Sequence, residues 1–256
     1  MRRVLFQICA IACLLVVTLA MVGDRSRAQQ TPALRVLFIG NSLTYVNNLP
    51  AVLEAMARES GQVPLVYQTI AFPDFSLEDH WKQGDARKAI STGKWDVVVM
   101  QQGPSALPES RVLLLEYVKK FAQETRNSGA KPALYMVWPA KERSFDFDRV
   151  SESYRLAAQE VDGLLFPVGD AWRTAWKHDA SLPLYSADKF HPSKAGTYLA
   201  AAVMYEQLYR RSSVGLPAQL KISDPEVKKI KLPRKQAEAL QMAATETNQG
   251  QTPTGS

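Results

Sequence analysis

Trp95-Asp96-Val97-Val98-Val99-Met100-Gln101 decides how the rest of the chain reads. A strand with one face in water alternates apolar and polar residues. An unbroken apolar run such as Val97–Met100 instead suits a strand covered on both faces, as in a parallel sheet. Runs of the same kind lie on either side: Leu34–Ile39 (LRVLFI), Leu65–Ala71, Ala133–Trp138 and Leu164–Val168. Between them the apolar positions take a helical period. Pro50–Glu59 carries Val52, Leu53, Met56 and Ala57 on one face, with proline at its start. Trp81–Ile90, Glu109–Asn127 (stopped by Ser128-Gly129), Val150–Val161 and Ser193–Arg211 are the other expected helices. Strands alternating with helices of this length predict an α/β fold, a parallel sheet with helices on both faces. In such a sheet ligands bind beyond the carboxyl ends of the strands, so the residues just after each strand are the candidates for chemistry.

The ends differ from this middle. Arg2 and Arg3, the apolar run Val4–Val22, and Ser26 and Ala28 before Gln29 have the pattern of a secretory signal, so residues 1–28 are expected to be removed on export to a periplasm or beyond. The run is also long enough for a retained anchor. Both cysteines, Cys9 and Cys13, lie inside this leader, so the mature chain is expected to have no disulfide, catalytic thiol or thiolate metal site. The whole chain of 256 residues has a formal charge of +6. Removing the leader, with four arginines and one aspartate, leaves a weak basic excess, much of it in Lys228, Lys229, Lys231, Arg234 and Lys235. That short run lacks a nucleic-acid motif and reads as a solvated segment, so no nucleic-acid partner is expected. Residues 33–215 form the expected domain and 216–256 a C-terminal extension. Within it one helix is expected over Arg234–Thr245, and the polar end Asn248–Ser256 is expected to be disordered.

Two loops stand out at the expected ligand end. Gly40-Asn41-Ser42-Leu43-Thr44 follows the first strand. A hydroxyl is a weak nucleophile until a base takes its proton, and a glycine before it permits the tight turn that presents the hydroxyl and free backbone amides together. Alone, such a turn is usually a serine capping a helix. The second loop, Asp188-Lys189-Phe190-His191-Pro192-Ser193, precedes the last helix. Asp188 is placed to fold back onto Nδ1 of His191, fixing its tautomer and leaving Nε2 facing a serine, while Ser193 caps the following helix.

Gly-Asn-Ser after strand one and Asp-x-x-His before the last helix, in that order, resemble the SGNH (GDSL-like) hydrolases over roughly Leu34–Arg211. The resemblance implies a three-layer α/β/α sandwich around a flavodoxin-like five-stranded parallel sheet. It also implies cofactor-free hydrolysis of an ester, with Ser42 as nucleophile, His191 as general base and Asp188 orienting it. No Gly-x-Ser-x-Gly elbow occurs, which sets the chain apart from ordinary α/β-hydrolases. The family also places a glycine amide after strand two and an asparagine after strand three against the oxyanion, and here the chain departs. Strand two is followed by Phe72-Pro73-Asp74-Phe75-Ser76, where an amide such as that of Asp74 can serve. Strand three ends in Gln101-Gln102, either of which has an amide able to donate, Gln101 being preferred.

His80 is read as structural or substrate-lining, since three histidines without paired spacing make no zinc site and no metal or other cofactor is expected. Trp138, closing strand four, is a candidate for stacking on a sugar from the crevice, with core packing the commoner fate of such a ring. The substrate expected from export is a small-molecule or carbohydrate ester, an acetylated saccharide, a small ester or a lipid alike, with no stable membrane insertion once the leader is gone. Two other functions use the same residues: a saccharide-binding protein without turnover, and an acyltransferase.

Overall fold

The computed structural model describes residues 32–224, 227 and 229–250. The expected leader, the cut before Gln29 and residues 251–256 lie outside the described residues.

The sheet has five parallel strands: β1 (Leu34–Gly40), β2 (Leu65–Ala71), β3 (Val97–Met100), β4 (Lys131–Tyr135) and β5 (Leu164–Phe166), in the order β2-β1-β3-β4-β5. All four positions of β3 are buried, the covered strand its valine run demands. β1 lies between β2 and β3, with Gly40 beside Ala71 and Ile39 beside Met100. The turns after β1, β2 and β3 therefore open at one edge, where a doubly wound sheet binds ligands.

Helices α1 (Ser42–Tyr45) and α2 (Leu49–Glu59) follow β1. Pro50 stands in the first turn of α2 and Asn48 caps it by accepting from Ala51 N, while Val52, Leu53 and Met56 are buried. Each such side chain contributes about 1.5–3 kcal/mol by leaving water. The helix expected over Trp81–Ile90 is instead two, α3 (Leu77–Gln83) and α4 (Asp85–Thr92). Gly84, at φ +93°, ends one and precedes the other, a backbone state that favours glycine. α3 starts earlier than periodicity implied because Ser76 and Asp79 form a reciprocal capping box. α5 (Pro108–Asn127) and α6 (Phe147–Glu160) flank β4 in sequence. β5 is shorter than the apolar run, because Pro167 ends it and Val168 already begins α7 (Val168–His178), which carries Trp172 and Trp176. α8 (Lys194–Tyr209) closes the wound sheet.

The described residues between 216 and 250 pack against the sheet domain. A hairpin of β6 (Gln219–Lys221) and β7 (Lys229–Lys231) leads to α9 (Arg234–Gln249), longer than the expected Arg234–Thr245. α9 packs on α7 and α8 and buries Leu240, Ala243 and Ala244. Gln241 Nε2 donates to Tyr198 Oη at 2.6 Å and to the Leu216 carbonyl at 2.8 Å. Asn248, expected to be disordered, lies in the helix and donates to Glu206 Oε2 at 3.0 Å. Among the described residues no helix is long and apolar enough to cross a membrane.

Candidate active site

β1 is buried up to Gly40, and the chain then turns sharply into α1, putting Ser42 in its first turn. Asn41 makes the turn: its Oδ1 accepts from Leu43 N at 3.1 Å and its carbonyl from Thr44 N at 2.9 Å. A Cβ on Gly40 would stand 2.4 Å from Gln101 Oε1 and 2.5 Å from Thr44 Oγ1, so only glycine lets strand three approach this closely. The Ser42 amide, first in α1, has no intrahelical acceptor.

The second loop reaches the same point from the far end of the sequence. His191 Nε2 lies 2.8 Å from Ser42 Oγ, and His191 Nδ1 lies 2.5 Å from Asp188 Oδ2. Asp188 Oδ1 accepts from Ser186 Oγ at 2.7 Å, His191 N at 2.9 Å and Phe190 N at 3.0 Å. The Ser186 hydroxyl foremost, then the Phe190 amide and the His191 ring, hold the Asp188 carboxyl well below the usual carboxylate range. An acceptor fixed at Nδ1 puts the neutral ring's hydrogen there and leaves the Nε2 lone pair toward the serine hydroxyl. Ser193 caps α8 by accepting from Ala195 N and Gly196 N. Asn47 Nδ2 donates to the Pro192 carbonyl at 2.9 Å, tying the histidine loop to the segment after α1.

Gln101 does not face the crevice. Its Oε1 accepts from Asn41 N at 2.9 Å and Thr44 Oγ1 at 2.7 Å, and its Nε2 donates to Asn41 Oδ1 at 2.9 Å and the Gln102 carbonyl at 2.7 Å. Both amide hydrogens are spent and the side chain is fully buried, so it clamps the serine turn and has none left for an oxyanion. Gln102 does line the crevice, but its Nε2 donates to Ser105 Oγ at 2.8 Å and its Oε1 accepts from Leu77 N at 3.1 Å. Asp74 lies at the crevice with φ +59°, in the turn after β2. Gln101→Ala should therefore act through stability. Asn41 N and the Thr44 hydroxyl would lose their acceptor, at about 1–3 kcal/mol for each buried group left unpaired. A urea midpoint clearly below wild type is the expected result. An unchanged midpoint with slowed turnover would restore the oxyanion role.

Of the two roles the sequence left open for each, His80 and Trp138 take the interior one and not the crevice-lining one. His80 is fully buried, packs on Phe72 and Phe75, and donates from Nε2 to the Gly40 carbonyl at 2.7 Å. Burial pushes its pKa down, and the ring is neutral under the serine turn rather than on the crevice wall. Trp138 is fully buried, stacked 3.7 Å from Trp172, with Nε1 donating to the Phe190 carbonyl at 3.0 Å. It supports the histidine loop from below and offers no face to a sugar.

The crevice beside Ser42 has a volume of about 520 Å³. Sequence reading missed one feature of its wall, the Arg143–Asp146 pair. Asp146 is fully buried and is held by Arg143 at 2.6 Å and Arg149 at 3.1 Å. The i,i+3 spacing of these three residues was a readable signal. Among the described residues no three His, Cys, Asp or Glu gather as a metal site would require.

Neither a protein-family model nor a curated protein sequence matches the chain. Solved structures do. A protein from Slackia heliotrinireducens described as an SGNH hydrolase matches at 27% identity, over 68% of this chain and 98% of its own, with a TM-score of 0.58. A DUF4886 family protein from Bacteroides uniformis matches at 20% identity, over 84% and 95%, with a TM-score of 0.68. A lipase/acylhydrolase from Enterococcus faecalis matches at 16% identity, over 75% and 99%, with a TM-score of 0.57. The structural neighbours are thus SGNH (GDSL-like) hydrolases, the fold of this chain is theirs, and the likeness supports a hydrolase of that fold.

Proposed function

We propose that the chain is an exported serine esterase working through an acyl-enzyme. The observation that carries this reading is the continuous line from Asp188 Oδ2 through His191 to Ser42 Oγ, with contacts of 2.5 and 2.8 Å. In the first step Ser42 Oγ attacks the ester carbonyl while His191 Nε2 takes its proton. The oxyanion is held by the Ser42 amide and an amide of the Asp74 turn, backbone donors that cost no reorganisation. His191 then gives the proton to the leaving alcohol, and water, deprotonated by the same nitrogen, releases the acid and restores the serine.

Export rests on the leader pattern of residues 1–28. One experiment tests enzyme class and processing together. Protein recovered from the exported fraction is treated with a fluorophosphonate, then measured by intact mass and peptide mapping. The expected product starts at Gln29 and carries one adduct, on Ser42. No adduct, or an adduct on Ser105, overturns the assignment of the nucleophile. A mass that includes residues 1–28 overturns the cut.

A further inference from the structure

We propose that the crevice beside Ser42 binds the acyl half of the substrate and that this half is a fatty acyl chain of about eight carbons or more rather than acetyl. This rests on the serine-esterase reading.

Size is the first argument. At roughly 30 Å³ for each water-sized group, an acetyl group would occupy a small part of a crevice of about 520 Å³, whereas an eight-carbon chain would fill about half of it. Chemistry is the second. Beside Ser42 the wall carries Phe75, Ala106, Leu107, Leu113 and Phe190 among its residues. Several of the polar side chains that share it are paired within the protein. Gln102 is bound to Leu77 N and Ser105 Oγ, Ser110 Oγ donates to the Leu107 carbonyl at 2.9 Å, and Asn41 Nδ2 donates to the Phe75 carbonyl at 3.0 Å. Asp146 pairs with both Arg143 and Arg149. Trp138 is buried against Trp172 and offers a saccharide no ring to stack on. Much of what the wall offers is apolar contact. Leu107 stands 42% exposed at the start of α5, an apolar side chain on the crevice wall that a bound chain would cover.

The test is kcat/KM on the p-nitrophenyl esters of acetate, butyrate, octanoate and palmitate. Each methylene buried is worth about 0.8 kcal/mol, roughly fourfold, so octanoate should exceed acetate by at least about tenfold even if the chain is only partly covered. Gly103 lines the crevice and a Cβ added there meets nothing within 4 Å, so Gly103→Phe can fill the space without displacing the fold. It should cut the octanoate-to-acetate ratio by about tenfold. Ala106→Trp is the second filling variant should the first fail to fold. Equal or greater efficiency on acetate, or a ratio unchanged in a folded filling variant, overturns the acyl assignment. So does labelling of Ser42 without turnover of octanoate. Failure of the esterase reading looks different: neither an adduct on Ser42 nor turnover of any ester, and the acyl proposal then falls with it.

Discussion

Ser42→Ala is expected to lower kcat on a p-nitrophenyl ester by about a millionfold, His191→Ala by about as much, and the double variant by little more than either. The reason lies in the 2.8 Å contact between Ser42 Oγ and His191 Nε2. Without the imidazole the hydroxyl keeps its proton and is no better a nucleophile than water, and without the hydroxyl the imidazole has no proton to take. In the proposed mechanism the two side chains perform one event, so their losses should not add. Residual catalysis of about 10³–10⁴ over water is expected from the backbone amides and from binding, which both variants keep. Neither replacement disturbs the turn, which Asn41 and Gln101 hold through other atoms. Circular dichroism and the urea midpoint should therefore match wild type. A folded Ser42→Ala protein with wild-type turnover would end this mechanism for the chain.

The parallel sheet was legible because its evidence is local. Val97–Met100 must be covered on both faces, and strands separated by helices have few ways to be wound. The meeting of Ser42 with the Asp188–His191 loop was legible for a related reason, since the ends of parallel strands gather distant loops at one edge. What stayed hidden depended on competition between partners. Gln101 has the chemistry of an oxyanion donor, and nothing in the chain's order says that Asn41 Oδ1 and the Gln102 carbonyl take both its hydrogens. Trp138 and His80 sit near the ends of elements that reach the crevice, but a ring can turn inward, and stacking on Trp172 and the Gly40 carbonyl decided that they do. Gly84 was visible as a helix stop, yet the apolar period runs on through it from Trp81 to Ile90 and masked the break. α9 runs past the expected Arg234–Thr245 to Gln249. Its last turn is held by polar contacts, Asn248 to Glu206 and Thr247 Oγ1 to Thr174 Oγ1 at 3.1 Å, which leave no mark in a hydrophobic pattern.

Asp188→Asn is the other substitution expected to have a large effect, about 10⁴ in kcat at neutral pH, and its cause is a tautomer rather than a lost charge alone. In the wild-type loop two backbone amides and the Ser186 hydroxyl donate to Asp188 Oδ1, and only Oδ2 faces the imidazole. An asparagine there must keep its oxygen toward those three donors, so its NH₂ group turns to His191 Nδ1. A donor at Nδ1 obliges the neutral ring to carry its hydrogen on Nε2, and that nitrogen can no longer take the proton from Ser42. The loss stays below that of Ser42→Ala because the serine, the amides and a minor population of the productive tautomer remain. The same hydrogen bonds fix the wild-type pH profile. Because they hold the Asp188 carboxyl well below the usual carboxylate range, its charge is kept as pH falls through that range and lost only below it. Protonation of Asp188 should therefore add no step to log kcat against pH within the ordinary carboxylate range. A step there that is absent from the Asp188→Asn profile would mean that Asp188 titrates as an ordinary carboxylate. An Asp188→Asn protein with wild-type kcat would show that the imidazole does not depend on Asp188 for its tautomer.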